Sequence, residues 1–160
     1  MALKYNGAQR EEYLNMIGRV GNHWLDVFEG RPEFYSAIYW DLFTGMWLHN
    51  APVKKTDVLG FMKAVKSPHT AAKYVDTAVR RGILIESDNP DDARSKLLTL
   101  SPEMKLRLDG FLDFARQAIE EHQEIIAIRQ AELGHGIRFK EVVGDGRRVA
   151  EHRADHVREL

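Results

Sequence analysis

The sequence predicts a mainly α-helical chain with one small β-hairpin, and three observations lead there. Residues 67–82 read as a helix with both ends marked. Ser67 is a cap, Pro68 suits a first turn that needs no N–H, and Gly82 provides a left-handed stop. Between them Ala71, Tyr74, Val75 and Ala78 form an apolar stripe, with Thr70, Lys73 and Thr77 on another face. Directly afterwards, 83–86 and 96–100 read as strands around Ser87-Asp88-Asn89-Pro90-Asp91-Asp92, with Leu98 and Leu100 on one side. The third observation is helical periodicity over most of the chain on both sides. A short helix, a tight turn, a longer helix and a hairpin make a winged helix-turn-helix.

Length and composition narrow the classes. A chain of 160 residues is long enough for one domain with a core. It has no cysteine, which excludes disulfide scaffolds, thiolate zinc sites and cysteine redox sensing. No signal-peptide core or membrane-length apolar run is present, so a cytoplasmic protein without a membrane partner is expected. Net charge is −1, but its distribution is uneven. Residues 49–110 hold 11 Lys/Arg against 8 Asp/Glu, whereas both flanks are net acidic. The basic excess coincides with the helix-turn-helix, a modest pointer to an anionic partner.

In chain order, Tyr13, Ile17, Val20, Trp24 and Phe28 give residues 9–29 a helical stripe, and Gly18 and Gly21 within it point to close packing. Gly30-Arg31-Pro32 separates this helix from the next, with Pro32 and Glu33 in its first turn. Residues 33–49 are apolar or aromatic nearly all round, the profile of a buried helix. Val53 is a candidate short strand pairing with the wing. A third helix is expected from Thr56 and Asp57, with Val58, Leu59, Met62 and Val65 inward. Ser101-Pro102-Glu103 opens a long helix. In it Leu108, Leu112, Ala115, Ile119, His122, Ile126, Arg129 and Leu133 follow a heptad seam. That seam is either an intramolecular bundle contact or a dimer interface. Gly134-His135-Gly136 is expected to end the helix. The organisation is therefore 1–49 N-terminal dimerisation helices, 50–101 winged helix-turn-helix, 102–133 long C-terminal dimerisation helix and 134–160 a tail.

Asp92-Ala93-Arg94 at the wing tip, followed at fixed distance by Leu100-Ser101, resembles the Asp-x-Arg wing of the MarR family of dimeric transcriptional regulators. Ser67-Pro68-His69-Thr70 through Arg80-Arg81-Gly82-Ile83-Leu84 matches that family's recognition helix. The resemblance covers about residues 10–133. Ala78-Val79 departs from the usual Leu-Glu, and Ser101-Pro102-Glu103-Met104 lacks the usual glycine. It implies a homodimer on a pseudo-palindromic DNA operator, controlled by a small ligand between the dimerisation helices and the DNA-binding lobe.

On such a fold His69, Thr70, Lys73 and Thr77 are candidates to read base edges, and Ser67 and Thr70 to hold phosphate. Arg94 is placed to enter a minor groove, its guanidinium oriented by Asp92. Lys54, Lys55 and Lys66 are candidate phosphate contacts, and Lys96 lies on the wing strand. For the ligand, Tyr35, Tyr39, Trp40, Phe43, Trp47 and His49 are the candidate lining; a plain aromatic core is the competing reading. No cofactor is expected, and no phosphate loop, nucleophile elbow or His-Glu-x-x-His motif points to an enzyme. His152 and His156 have the spacing of two metal ligands on one helix face, but without a nearby carboxylate motif they are read as a solvated tail and no metal site is expected. His122 in the seam is read as a core histidine or a pH-responsive group. The rival function is a winged helix that binds proteins.

Overall fold

A computed structural model describes residues 3–155, with side chains described to Arg129 and at Ala131. The order is α1 (Gly7–Val27), a 3-10 turn (Pro32–Phe34), α2 (Ala37–His49), β1 (Val53–Lys54) and α3 (Lys55–Val58) with a 3-10 extension (Leu59–Phe61). Then come α4 (Pro68–Arg80), β2 (Leu84–Asp88), β3 (Lys96–Leu100) and α5 (Pro102–Asp155). The chain forms two compact units, Ile17–Gln117 and the pair of segments Met1–Met16 and Ala118–Leu160.

Helix α1 starts two residues before the expected position because Asn6 and Gln9 form a reciprocal capping box. The Gln9 N–H donates to Asn6 Oδ1 at 2.9 Å and the Asn6 N–H to Gln9 Oε1 at 3.0 Å. It ends where Glu29 and Gly30 turn left-handed, with φ of 56° and 70°. Pro32 does not open α2 as the sequence suggests. It opens a separate 3-10 turn that drives Phe34 into the core, and α2 begins at Ala37 under a Ser36 cap, whose Oγ accepts the Tyr39 N–H at 3.3 Å.

The third helix is the largest departure from expectation. It holds for one turn, tightens through Leu59–Phe61 and is lost at Met62. Gly60 weakens it locally, and Phe61 packs against α2 at Gly45, where a Cβ would lie 2.8 Å from the phenyl ring. Val58 and Met62 are buried as predicted. Helix α4 is as predicted, with Ala71, Val75 and Ala78 buried and Gly82 at φ 70°. The sheet is antiparallel in the order β1-β3-β2, with Val53 opposite Leu98 and Leu84 opposite Leu100. Val53, Leu84 and Leu98 close one side of a core that includes Trp24, Phe28, Phe34, Leu42, Phe43, Met46 and Phe111.

The heptad seam of α5 divides. Met104, Leu108 and Phe111 join the core, and Leu112 packs against it. Ile119 is largely exposed, as are Ile125 and Ile128 on neighbouring positions. The two polar interruptions are explained within the terminal unit. Arg129 pairs with Glu12 of α1 at 2.8 Å, and the His122 ring lies 6.0 Å from that of Tyr13. The expected break at Gly134-His135-Gly136 is absent, since α5 runs on to Asp155. Glycine lowers helix propensity by about 1 kcal/mol but does not forbid the conformation. The His152 side chain and all of His156 lie outside the described residues.

Candidate nucleic-acid interface and effector cavity

Two places in the unit Ile17–Gln117 merit description, the surface of α4 with its wing and an apolar cavity. At the start of α4 the Ser67 hydroxyl is engaged as the cap, accepting the Thr70 N–H at 3.4 Å. His69, Thr70 and Lys73 are exposed on the first turns, with Lys66 exposed in the preceding loop and Lys54 on β1. Thr77 departs from this set. It is half-buried, donates to the Lys73 carbonyl at 2.9 Å and accepts from Arg80 Nη2 at 2.9 Å, so its hydroxyl is engaged inside the helix. Lys55 is likewise engaged, bridging Glu86 of β2 at 2.8 Å and Asp76 of α4 at 3.0 Å. The Glu86 bond foremost raises the Lys55 pKa, and the half-buried ammonium ties the wing to α4.

The wing tip is built around Asn89, a buried side chain that the sequence reading used only as a turn former. Its Nδ2 donates to Ser95 Oγ at 2.7 Å, and its Oδ1 accepts the Asp91 N–H at 3.0 Å. Such an Asx turn before proline was the available signal. Asp92 completes the loop by accepting the Arg94 backbone N–H at 3.1 Å, so it orders the chain under Arg94, where an orienting contact to the guanidinium was expected. The exposed Arg94 side chain is thus presented by an ordered tip. Lys96 is held by Asp88 across the strands, an ion pair that lowers the Asp88 pKa. The hairpin carries four carboxylates, of which Glu86 and Asp88 are paired with Lys55 and Lys96, and Asp91 is exposed at the tip.

The cavity lies among α1, the 3-10 turn, α2 and the start of α5, with a volume of about 400 Å³. Its lining is Ile17, Val20, Gly21, Trp24, Tyr35, Ser36, Ala37, Trp40 and Phe111. Of the six expected ligand residues, only Tyr35 and Trp40 are here. Tyr39 and Phe43 are core, and burial pushes the Tyr39 phenol pKa up. Trp47 donates its indole N–H to Asp109 at 2.7 Å, and His49 lines a different depression beside Phe61 and Lys54. The rest of the lining comes mainly from α1 and α5, where periodicity marks an inward face but not what that face meets. The close packing expected at Gly18 and Gly21 is absent: a Cβ at Gly21 would make only an ordinary contact, 3.5 Å from the Tyr35 hydroxyl, and one at Gly18 would meet nothing within 4 Å. Among the described residues there is no group of three or more His, Asp or Glu placed to hold a metal, and no helix long and apolar enough to cross a membrane.

A capped helix α4, a shorter helix before it and a three-stranded sheet ending in an ordered wing define a winged helix-turn-helix fold. It is that of the MarR-type transcriptional regulators. A mutant of S. aureus MepR bound to an oligodeoxyribonucleotide is 12% identical with a TM-score of 0.56, the match covering 83% of this chain and 98% of that one. NadR in complex with 4-hydroxyphenylacetate is 9% identical with a TM-score of 0.51, covering 83% and 90%. A transcriptional regulator from Thermotoga maritima is 13% identical with a TM-score of 0.50, covering 86% and 94%. No family model matches the chain, and no curated protein does.

Proposed function

We propose that this protein is a sequence-specific regulator that binds double-stranded DNA as a homodimer on a pseudo-palindromic operator and is controlled by a small aromatic molecule. The observation that carries the reading is α4, which presents exposed His69, Thr70 and Lys73 beside an ordered wing tip bearing Arg94. Helix first-turn hydroxyls and imidazole suit base edges in the major groove, and an arginine on a wing suits a narrow minor groove. Lys54 and Lys66 supply phosphate contacts. Dimerisation is supported by Leu14, Ile119, Ile125 and Ile128, apolar side chains left exposed in the terminal unit, Leu14 at 66% and Ile128 at 59%. The DNA-bound and ligand-bound proteins that share the fold agree with both partners.

The test is selection of bound sequences from random duplex DNA at two salt concentrations. A recovered pseudo-palindrome whose binding weakens as salt rises supports the reading, because neutralised phosphates release counterions. Failure to enrich any sequence, with the protein folded, removes it. The exposed carboxylates Asp88 and Asp91 of the wing favour a second reading, in which the hairpin contacts a basic protein surface. That reading expects partner binding lost on neutralising Asp88 and Asp91, with no DNA enrichment.

A further inference from the structure

We infer that the cavity among α1, α2 and α5 selects against anions and takes a planar aromatic molecule that is neutral or positively charged. This rests on reading the cavity as the effector site. Its walls are the rings of Trp24, Tyr35, Trp40 and Phe111 together with Ile17 and Val20, and no lysine, arginine or histidine lines it. The depression is open on the side of Tyr35 and Trp40, so a carboxylate laid against it gives up part of its hydration, gains no counter-ion, and meets the negative faces of the rings. An ammonium is attracted by those same faces, and an uncharged amide needs only hydrogen-bond partners.

Neutral partners are present. The Ser36 hydroxyl accepts the Tyr39 N–H and keeps its own proton to donate, and the Tyr35 hydroxyl sits over Gly21. Basic groups nearby are engaged elsewhere. His23, which stacks on Phe111 with centroids 6.3 Å apart, lies closer to Phe114 and holds Asp26 through Nδ1 at 3.1 Å. On α1, Arg19 lies over the Phe114 ring, 5.9 Å from its centroid, while Arg107 and Arg31 line a separate depression and both bind Glu29 at 2.7 Å. A cavity of about 400 Å³ accommodates a two-ring aromatic body.

The experiment is calorimetric titration of the full chain at neutral pH with 2-naphthoate, 2-naphthamide and 2-naphthylmethylamine, which share a ring system and carry negative, no and positive charge. The amide and the amine are expected to bind roughly ten-fold or more tightly than the acid, and to weaken in Trp40→Ala. Ala37→Lys, at an exposed lining position, should raise naphthoate affinity to that of the amine or above. Naphthoate binding as well as the other two, and weakened by Trp40→Ala, would keep the cavity as the site but overturn its charge selection. Binding indifferent to both substitutions would place the ligand elsewhere and overturn the inference. Binding of none of the three at millimolar concentration would remove the effector site itself.

Discussion

At Arg94 the chemistry of a single side chain can be separated from the fold, because the loop beneath it is ordered by Asn89, Asp92 and Ser95 without help from the guanidinium. Arg94→Ala should therefore weaken DNA binding by about 1–3 kcal/mol while leaving the melting temperature unchanged, as titration of a selected operator and calorimetry would read. Equal affinity in the variant would take the wing out of recognition. Glu29 offers a different residue-scale test. Arg107 foremost, then Arg31, lowers its pKa from 4.5 to about 2. The unfolded chain then takes up the proton first, so the stability this carboxylate contributes is complete above pH 4.5 and is lost as pH falls towards 2. Thermal melts over that range should show a steeper loss in the parent chain than in Glu29→Gln; parallel curves would mean that the pairing does not stabilise the fold.

Among the elements, α3 and α4 show why some of the fold was legible in the sequence and some was not. For α4 the Ser67 cap, the Ala71-Val75-Ala78 stripe and the Gly82 stop are local rules that agree, and Ser67→Ala should cost about 1 kcal/mol in denaturant melts. The length of α3 is decided by Phe61 meeting Gly45 across the core, a contact that no local pattern announces. Gly45→Ala puts a methyl group into that ring and should destabilise the chain by about 1–3 kcal/mol, read from the same melts. A neutral result would show that Phe61 moves aside cheaply. The exposure of His69, Thr70 and Lys73 was legible because the outward face of a correctly assigned helix follows from its stripe. The engagement of Thr77, Lys55 and Lys96 was not, because their partners lie one helical turn, one element or one strand away. The cavity was least legible, since its lining is drawn from four segments and the sequence signal named only the aromatic-rich one.

At the scale of the whole molecule, the exposed isoleucines of α5 are where the proposed dimer can be tested. Ile125→Glu together with Ile128→Glu should convert a dimer to a folded monomer in sedimentation, with the helical circular dichroism retained and operator binding reduced. A dimer that survives both changes would mean that this face is not the interface. These residues stand apart from the core set Met104, Leu108 and Phe111, so association and core packing can be perturbed independently.

The three tryptophans sit in three different electronic surroundings. Trp24 is buried against Phe28 and Phe111, Trp40 is part-open at the cavity, and Trp47 is tied by its indole N–H to the Asp109 carboxylate beside Lys105. The chain thus carries its own optical reporter. A quencher in the cavity dims the emission of two indoles and spares the third, and in Trp47→Phe all the tryptophan emission comes from the cavity wall.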